Sequence, residues 1–143
     1  LLDANIKMHN IHIVNKLENE IHTYGNIHEL LQVTMHIINN AIDILKNKEH
    51  KRLIFIETYL IDDLIQIKIR DNAGGIPLDI LSKIFEPYFT TKHQSIGAGL
   101  GLYMSHTIIN DMNGQLQVQN VEYVHDEKQY IGAQFTINLP VLS

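Results

Sequence analysis

The stretch that decides the fold runs Leu64-Ile65-Gln66-Ile67-Lys68-Ile69-Arg70-Asp71-Asn72-Ala73-Gly74-Gly75-Ile76-Pro77. Its first half alternates apolar and polar residues, which is typical of a β-strand. A second apolar run, residues 52–61, precedes it across Asp62-Asp63, so we predict a β-hairpin. Residues 71–77 form the following loop, and Pro77 suits the start of a short helix through residue 84.

Outside this hairpin, the chain predicts two long helices. Apolar residues recur at helical spacing from residue 27 to about residue 46. The second helix follows the glycines of residues 97–101 and ends at Asn113-Gly114, a common stop signal. Residues 1–8 predict the end of another helix.

Further strands complete the predicted sheet. Residues 11–17 and 20–24 have the character of short strands, and residues 115–124 and 129–139 predict a final hairpin around Asp126-Glu127. We therefore predict an α/β two-layer sandwich: one mixed, mostly antiparallel sheet covered on one face by about three helices. Neither a repeat nor a linker divides the chain, so residues 1–143 are expected to form a single domain.

Composition excludes several classes of protein. The 143 residues are 45% apolar and carry a net charge of −5 without a basic stripe, which favours a globular domain without a nucleic-acid partner. The absence of cysteine excludes disulfides and cysteine-based metal sites. No signal peptide or apolar run near the roughly 20 residues of a membrane span is present. Because the chain begins at Leu1 without Met, we expect it to be part of a longer protein.

Two loops carry residues suited to a nucleotide. In Gly97-Ala98-Gly99-Leu100-Gly101-Leu102, glycines allow backbone N–H groups to approach a phosphate, and the following helix N-terminus favours an anion. Asp71, at a strand end, can accept a hydrogen bond from an exocyclic amine such as that of adenine. Taken separately, each loop is also compatible with a plain helix entry or an Asp-initiated turn.

Two further segments are candidates for the same pocket. Gln32, His36 and Asn40 lie four residues apart on one helical face, and an amide oxygen is a hard ligand suited to Mg²⁺. The alternative is a solvated helix surface. The other segment is Phe85-Glu86-Pro87-Tyr88-Phe89-Thr90-Thr91-Lys92. Its aromatic residues can anchor a flap from which Lys92 reaches a phosphate. Aromatic residues at this spacing more often only pack in the core.

Together and in this order, the four segments resemble the nucleotide-binding boxes of the superfamily of DNA gyrase, heat-shock chaperone ATPases, histidine kinases and MutL (the Bergerat fold). The segment from Phe85 to Lys92, followed by that from Gly97 to Leu102, resembles a sensor histidine kinase. Residues 132–140 are similar to the last strand of that domain.

The resemblance implies a role for each matching residue. Asn40 would hold Mg²⁺ and Asp71 would bind the adenine amine of ATP. The remaining nucleotide contacts would come from Gly75, Ile76, Lys92, Gly97, Gly99, Leu100 and Gly101. Residues 90–96 would form a lid.

His36 and Lys92 are the residues with an implied catalytic role. His36 stands where histidine kinases usually have Asn and the gyrase branch has a catalytic Glu, so the resemblance leaves open whether His36 is catalytic or merely tolerated. Ala73 replaces a frequent glycine, and Gly75 remains in place.

The resemblance implies transfer of the γ-phosphate to a histidine on a separate dimerisation and phosphoacceptor hairpin of the same protein, in a two-component system. A response regulator receiver domain would be the next partner, and the full-length protein would be a homodimer. The domain would lie in the cytoplasm, while anchoring of the whole protein in the inner membrane stays open. None of the nine histidines lies in an acceptor motif. The alternatives are an ATP hydrolase or clamp of the gyrase/MutL type and a degenerate nucleotide-sensing module.

Overall fold

The computed structural model describes residues 2–16, 27–87 and 101–140. The helices within these ranges are α1 (Leu2–Met8), α2 (Ile27–Leu45), α3 (Leu78–Leu81) and α4 (Gly101–Asp111). The strands are β1 (Ile11–Lys16), β2 (Arg52–Ile61), β3 (Leu64–Asp71), β4 (Gln115–His125) and β5 (Lys128–Pro140). The strand predicted over residues 20–24 lies outside the described residues.

The strands form one mixed sheet in the order β1-β2-β3-β5-β4. β1 pairs with β2 in parallel, and the other neighbours are antiparallel. Asp62 adopts a φ of 54° in the β2–β3 turn, and Asp126 and Glu127 adopt φ values of 50° and 66° in the β4–β5 turn. Two consecutive positive φ values match the twist of a tight hairpin. The predicted fold class and both predicted hairpins are confirmed.

The core lies between the sheet and the long helices. One face of α2, which includes Val33, Ile37 and Leu45, is buried. These side chains pack with Ile54 and Ile137 of the sheet in one apolar cluster. Each fully buried side chain of this size contributes about 1.5–3 kcal/mol. This burial anchors α2 and thereby fixes its half-buried polar residues relative to the sheet.

The short helix after the β2–β3 hairpin is smaller than predicted. α3 ends at Leu81 and has no buried residue. The chain then continues through tight turns, in which the N–H groups of Lys83 and Glu86 bond to the carbonyl groups of Ile80 and Lys83. The helix therefore ends three residues before the predicted residue 84, and Ile84 and Phe85 pack against the core from these turns. Of the helices in the described part of the chain, none is long and apolar enough to cross a membrane.

Candidate functional site

Asp71 is the last residue of β3, and it is only 5% exposed. Its Oδ1 atom accepts hydrogen bonds from the backbone N–H groups of Ala73, at 3.0 Å, and Ala133, at 3.2 Å. The first bond closes the turn after β3, and the second ties the carboxyl group to β5. The side chain is therefore held by two elements, as required for a fixed acceptor.

Burial is the main influence on the charge of Asp71. Loss of solvent raises the pKa of its carboxyl group above the usual value. The hydrogen bonds from Ala73 and Ala133 and the positive charge of Lys48 act in the opposite direction. A buried acceptor whose pKa is raised at a strand end is typical of a binding site.

The backbone of Asp71 is enclosed by the β4–β5 hairpin. A Cβ atom at position 132 would lie 1.8 Å from the carbonyl oxygen of Asp71, so only glycine allows β5 to approach this closely. The Tyr123 hydroxyl donates a hydrogen bond to the same oxygen at 2.5 Å. Burial raises the pKa of Tyr123 above its usual range, which keeps this hydroxyl a donor.

The loop after Asp71 is held from β4. Gly74 and Gly75 adopt φ values of 100° and 89°, which disfavour residues with a Cβ atom. Oδ1 of Asn120 accepts from the N–H of Ile76 at 2.7 Å, and Nδ2 of Asn120 donates to the Ile76 carbonyl at 2.8 Å. The side-chain amide thus bonds to both backbone groups of Ile76 as a neighbouring strand would.

Asn72 has a structural task beside the site. Its Oδ1 atom accepts from the N–H of Leu53 at 3.0 Å, and its Nδ2 atom donates to the carbonyl of Lys51 at 2.7 Å. These bonds attach the start of the loop to the start of β2. Asn72 is buried and both ends of its amide are used.

A second group of predicted residues lies where α2 meets α4. Nδ2 of Asn40 is 3.2 Å from Nε2 of His36, one helical turn earlier. The imidazole ring also packs against Gly101, the first residue of α4. A Cβ atom there would lie 2.0 Å from both Cε1 and Nε2 of His36. Gln32, the third member of the polar row, is exposed.

The described residues thus bring the predicted site together in two groups. Asp71 ends β3 and Gly75 and Ile76 lie in the loop that follows, whereas His36 contacts both Asn40 and Gly101 between the two long helices. The predicted contacts of Lys92, Gly97, Gly99 and Leu100 and the predicted lid of residues 90–96 lie outside the described residues. Phe85 packs on the core, with its ring 6.5 Å from that of Phe135, and stacks on His106 at 4.8 Å.

Three residues around Asp71 were not identified as functional from the sequence. Asn120 and Tyr123 carry no local signal, because their partners lie 44 and 52 residues away along the chain. Gly132 carried a usable signal, since an isolated glycine inside a strand often marks a close approach of another backbone. Within the ranges 2–16, 27–87 and 101–140, no three His, Cys, Asp or Glu residues cluster as a metal site.

Comparison with known proteins identifies the family. Residues 25–143 match the family model described as histidine kinase-, DNA gyrase B- and HSP90-like ATPase. The chain belongs to this ATPase family. The prediction of an ATP-binding domain of the histidine kinase type is therefore confirmed at the level of the family.

Individual relatives agree with this assignment. The signal transduction histidine-protein kinase AtoS of Escherichia coli (strain K12) is 36% identical over 133 residues, which cover 92% of this chain and 20% of AtoS. Sporulation kinase E of Bacillus subtilis (strain 168) is 32% identical over 143 residues, which cover 99% of this chain and 18% of that kinase. The ATPase domain thus spans about one fifth of the length of these curated relatives.

A solved structure extends the similarity to three dimensions. The nucleotide-free catalytic domain of the histidine kinase ThkA superposes with a TM-score of 0.76 and is 25% identical, with 97% of this chain and 84% of that chain covered. The fold of the ATPase domain is therefore that of a histidine kinase catalytic domain.

Proposed function

We propose that this domain binds Mg²⁺–ATP and transfers the γ-phosphate to a histidine on a separate helical hairpin. The observation that carries the proposal is the buried Asp71 carboxyl group, whose Oδ1 atom is held by the N–H groups of Ala73 and Ala133 in a member of this ATPase family. A fixed acceptor at this position suits an amino group on a flat base.

The adenine of ATP would bind between Asp71 and the loop that follows. Asp71 would accept a hydrogen bond from the exocyclic amine, which guanine lacks at the corresponding position. Gly75 would line the base with its backbone, and Ile76, held by Asn120, would offer an apolar contact at a defined position. These features support a preference for ATP over GTP.

Asn40 fits the role of a cation ligand. Its Nδ2 atom contacts His36, so the amide nitrogen points toward the imidazole ring. The amide oxygen Oδ1 is the hard ligand that would bind Mg²⁺. When bound, Mg²⁺ would neutralise charge on the phosphates. The Oδ1 atom would hold the cation, and the neutral amide would add no further negative charge beside the phosphates.

The phosphates would lie at the N-terminus of α4. This helix has 11 residues, and its first N–H groups and positive end favour an anion. Gly101 lies at this end, while Gly97, Gly99, Leu100 and Lys92 are proposed to complete the contacts. Phosphoryl transfer needs positioning and charge neutralisation more than covalent chemistry from the protein.

The proposed partners follow from the transfer reaction. The acceptor would be a histidine on the dimerisation hairpin of the same protein, which would act as a homodimer. A response regulator receiver domain would then take the phosphate. In this signalling role, the domain would lie in the cytoplasm.

Binding and transfer can be tested separately. We expect the domain to bind ATP more tightly with Mg²⁺ and more tightly than GTP, as measured by calorimetry. Mixed with its native hairpin and γ-labelled ATP, it should label a histidine, and the bond should be acid-labile and base-stable. The rate should be below that of the joined protein, because tethering raises the local concentration.

The controls separate this proposal from its alternatives. A hairpin without its acceptor histidine should stay unlabelled. Hydrolysis of ATP without any transfer would favour an ATPase of the gyrase or MutL type. Tight binding without transfer or hydrolysis would favour a nucleotide-sensing module. Equal affinity for ATP and GTP would refute the assignment of Asp71 to adenine.

A further inference from the structure

We infer, on the proposed assignment of Asn40 to the cation, that His36 is a positioning residue that fixes the orientation of the Asn40 amide. Two contacts carry this inference. Nε2 of His36 lies 3.2 Å from Nδ2 of Asn40, and the same ring packs against Gly101 at the start of α4. His36 therefore lies between the proposed cation ligand and the proposed phosphate end of a helix.

The chemistry of the Asn40 contact assigns the proton positions. An amide nitrogen can only donate, so in this arrangement Nε2 of His36 is the acceptor, which corresponds to the tautomer that carries its proton on Nδ1. The lone pair of Nε2 is thus used by Asn40, which argues against this nitrogen as a general base in the described state. Because Nδ2 of Asn40 is held, the direction of Oδ1 is defined. Without an acceptor at this place, the amide loses the bond that holds its nitrogen on the side of His36.

The contact with Gly101 fixes the ring itself. Because a Cβ atom at position 101 would overlap Cε1 and Nε2 of His36 at 2.0 Å, glycine at this position is required by the ring. The ring in turn holds α2 and the first turn of α4 at a defined separation. The His36 side chain thus fixes both the orientation of the Asn40 amide and the position of the first turn of α4.

The first experiment measures how strongly Mg²⁺ enhances ATP affinity. His36→Gln keeps an acceptor close to the position of Nε2, so we expect it to retain the enhancement. His36→Leu removes the acceptor and should reduce the enhancement about 10- to 100-fold, as is typical when a residue supporting a metal ligand is lost. Adenosine affinity, which involves no phosphate, should change little in both variants.

A matched pair on α4 provides the control. Nδ1 of His106 lies 3.2 Å from Nδ2 of Asn110, also one turn apart, but Asn110 is exposed and the pair lies outside the proposed site. His106→Leu should leave the Mg²⁺ enhancement unchanged. If His36→Leu kept the full enhancement while Asn40→Ala lost it, the positioning role of His36 would be refuted. The role of Asn40 as the cation ligand would then stand. Full enhancement in Asn40→Ala would instead refute the proposed cation ligand.

The geometry has a test that requires neither nucleotide nor Mg²⁺. Gly101→Ala should lower the midpoint of thermal unfolding in the parent protein, because the new methyl group collides with the ring of His36. In a His36→Ala background the same substitution should cost much less. An equal cost in both backgrounds would contradict the contact. The side-chain amide signal of Asn40 in NMR spectra, assigned by its loss in Asn40→Ala, should shift in His36→Leu and remain close to its parent position in His36→Gln.

Discussion

Asp71 combines a proposed role in adenine binding with an environment that is unfavourable for its charge. Its carboxyl group is buried, and this burial raises its pKa despite two hydrogen bonds from N–H groups and the nearby charge of Lys48. Proteins keep such groups where binding needs them, and stability is lost in exchange. The functional and structural effects of replacing Asp71 should therefore have opposite signs.

Asp71→Asn should weaken ATP binding about 10- to 100-fold, because a hydrogen bond to a charged group contributes about 1.5–3 kcal/mol. The same variant should raise the stability of the nucleotide-free domain near neutral pH. The folded-state pKa of Asp71 is raised, so the parent protein is most stable below the unfolded-state pKa and loses stability as the pH rises through the folded-state pKa. Asn removes this loss.

The measurements are calorimetric titration with ATP and thermal unfolding across the acidic range. The difference in stability between Asp71→Asn and the parent should grow as pH rises through this window and stay constant above it. A difference that does not change with pH would show that the burial of this charge does not cost stability.

At the level of elements, the β4–β5 hairpin supports the loop after β3. β5 approaches so closely at Gly132 that the N–H of Ala133 reaches the Asp71 carboxyl group. β4 contributes Asn120 and Tyr123, which bond to the backbone of Ile76 and Asp71. The geometry of the site therefore depends on the register of this hairpin.

Gly132→Ala should destabilise the domain by about 1–3 kcal/mol, as is usual when atoms are forced into a packed interior. The colliding atom is a backbone carbonyl oxygen, which cannot rotate away as a side chain would. ATP affinity should fall as well, because separation of the strands breaks the bond from Ala133 to Asp71. Denaturant unfolding and calorimetry measure the two effects.

The control for this substitution is Gly74→Ala. Gly74 has a positive φ of 100° but no atom within 4 Å of a Cβ atom placed there. This variant tests backbone strain without collision and should cost only about 1 kcal/mol. A larger loss of stability for Gly74→Ala than for Gly132→Ala would argue against the close approach of β5.

Asn120→Ala should remove two hydrogen bonds to Ile76 and destabilise the domain by about 1–3 kcal/mol, at roughly 0.5–1.5 kcal/mol for each bond. Because the loop then loses its support, ATP affinity should fall too. Asn138→Ala is the matched control, since Oδ1 of Asn138 accepts only a side-chain bond from Gln66 at 3.1 Å among the contacts described for it. An unchanged ATP affinity in Asn120→Ala would show that the loop does not need this clamp.

At the level of the whole molecule, the two faces of the sheet are stabilised differently. One face packs under the helices in an apolar core. On the other face, the guanidinium group of Arg70 lies between the rings of Phe55, at 4.7 Å, and Tyr123, at 4.4 Å. Cation–π contacts of this kind contribute about 0.5–2 kcal/mol each and link β2, β3 and β4 behind Asp71.

Hydrogen exchange should follow this architecture. Amides of β2, β3 and β5 should exchange slowest, because each of these strands is paired on both sides and buries residues such as Ile54, Ile69 and Ile137. Amides of α3 should exchange fastest among the described helices, since this helix buries no residue. Mass spectrometry or NMR measures this exchange. Amides of α3 as strongly protected as those of β3 would contradict the described packing.

The sequence by itself predicted the long helices and the strands of both hairpins, although it placed the end of α3 three residues too late. Alternation in β3, helical spacing in α2 and the turn residues between strands are local patterns, and they were sufficient to predict the fold class. Asp71 and Asn40 were predicted as site residues because each lies in a short motif that resembles a nucleotide-binding box. Local periodicity can be read from one segment, since it depends only on which face that segment buries.

Only the tertiary structure revealed what holds those residues in place. Asn120 and Ala133 bond to partners 44 and 62 residues away, and the ring of His36 meets Gly101 across two helices. Such contacts depend on strand register and on the distance between packed elements. Periodicity in one segment does not set either quantity, because both result from how the whole core packs.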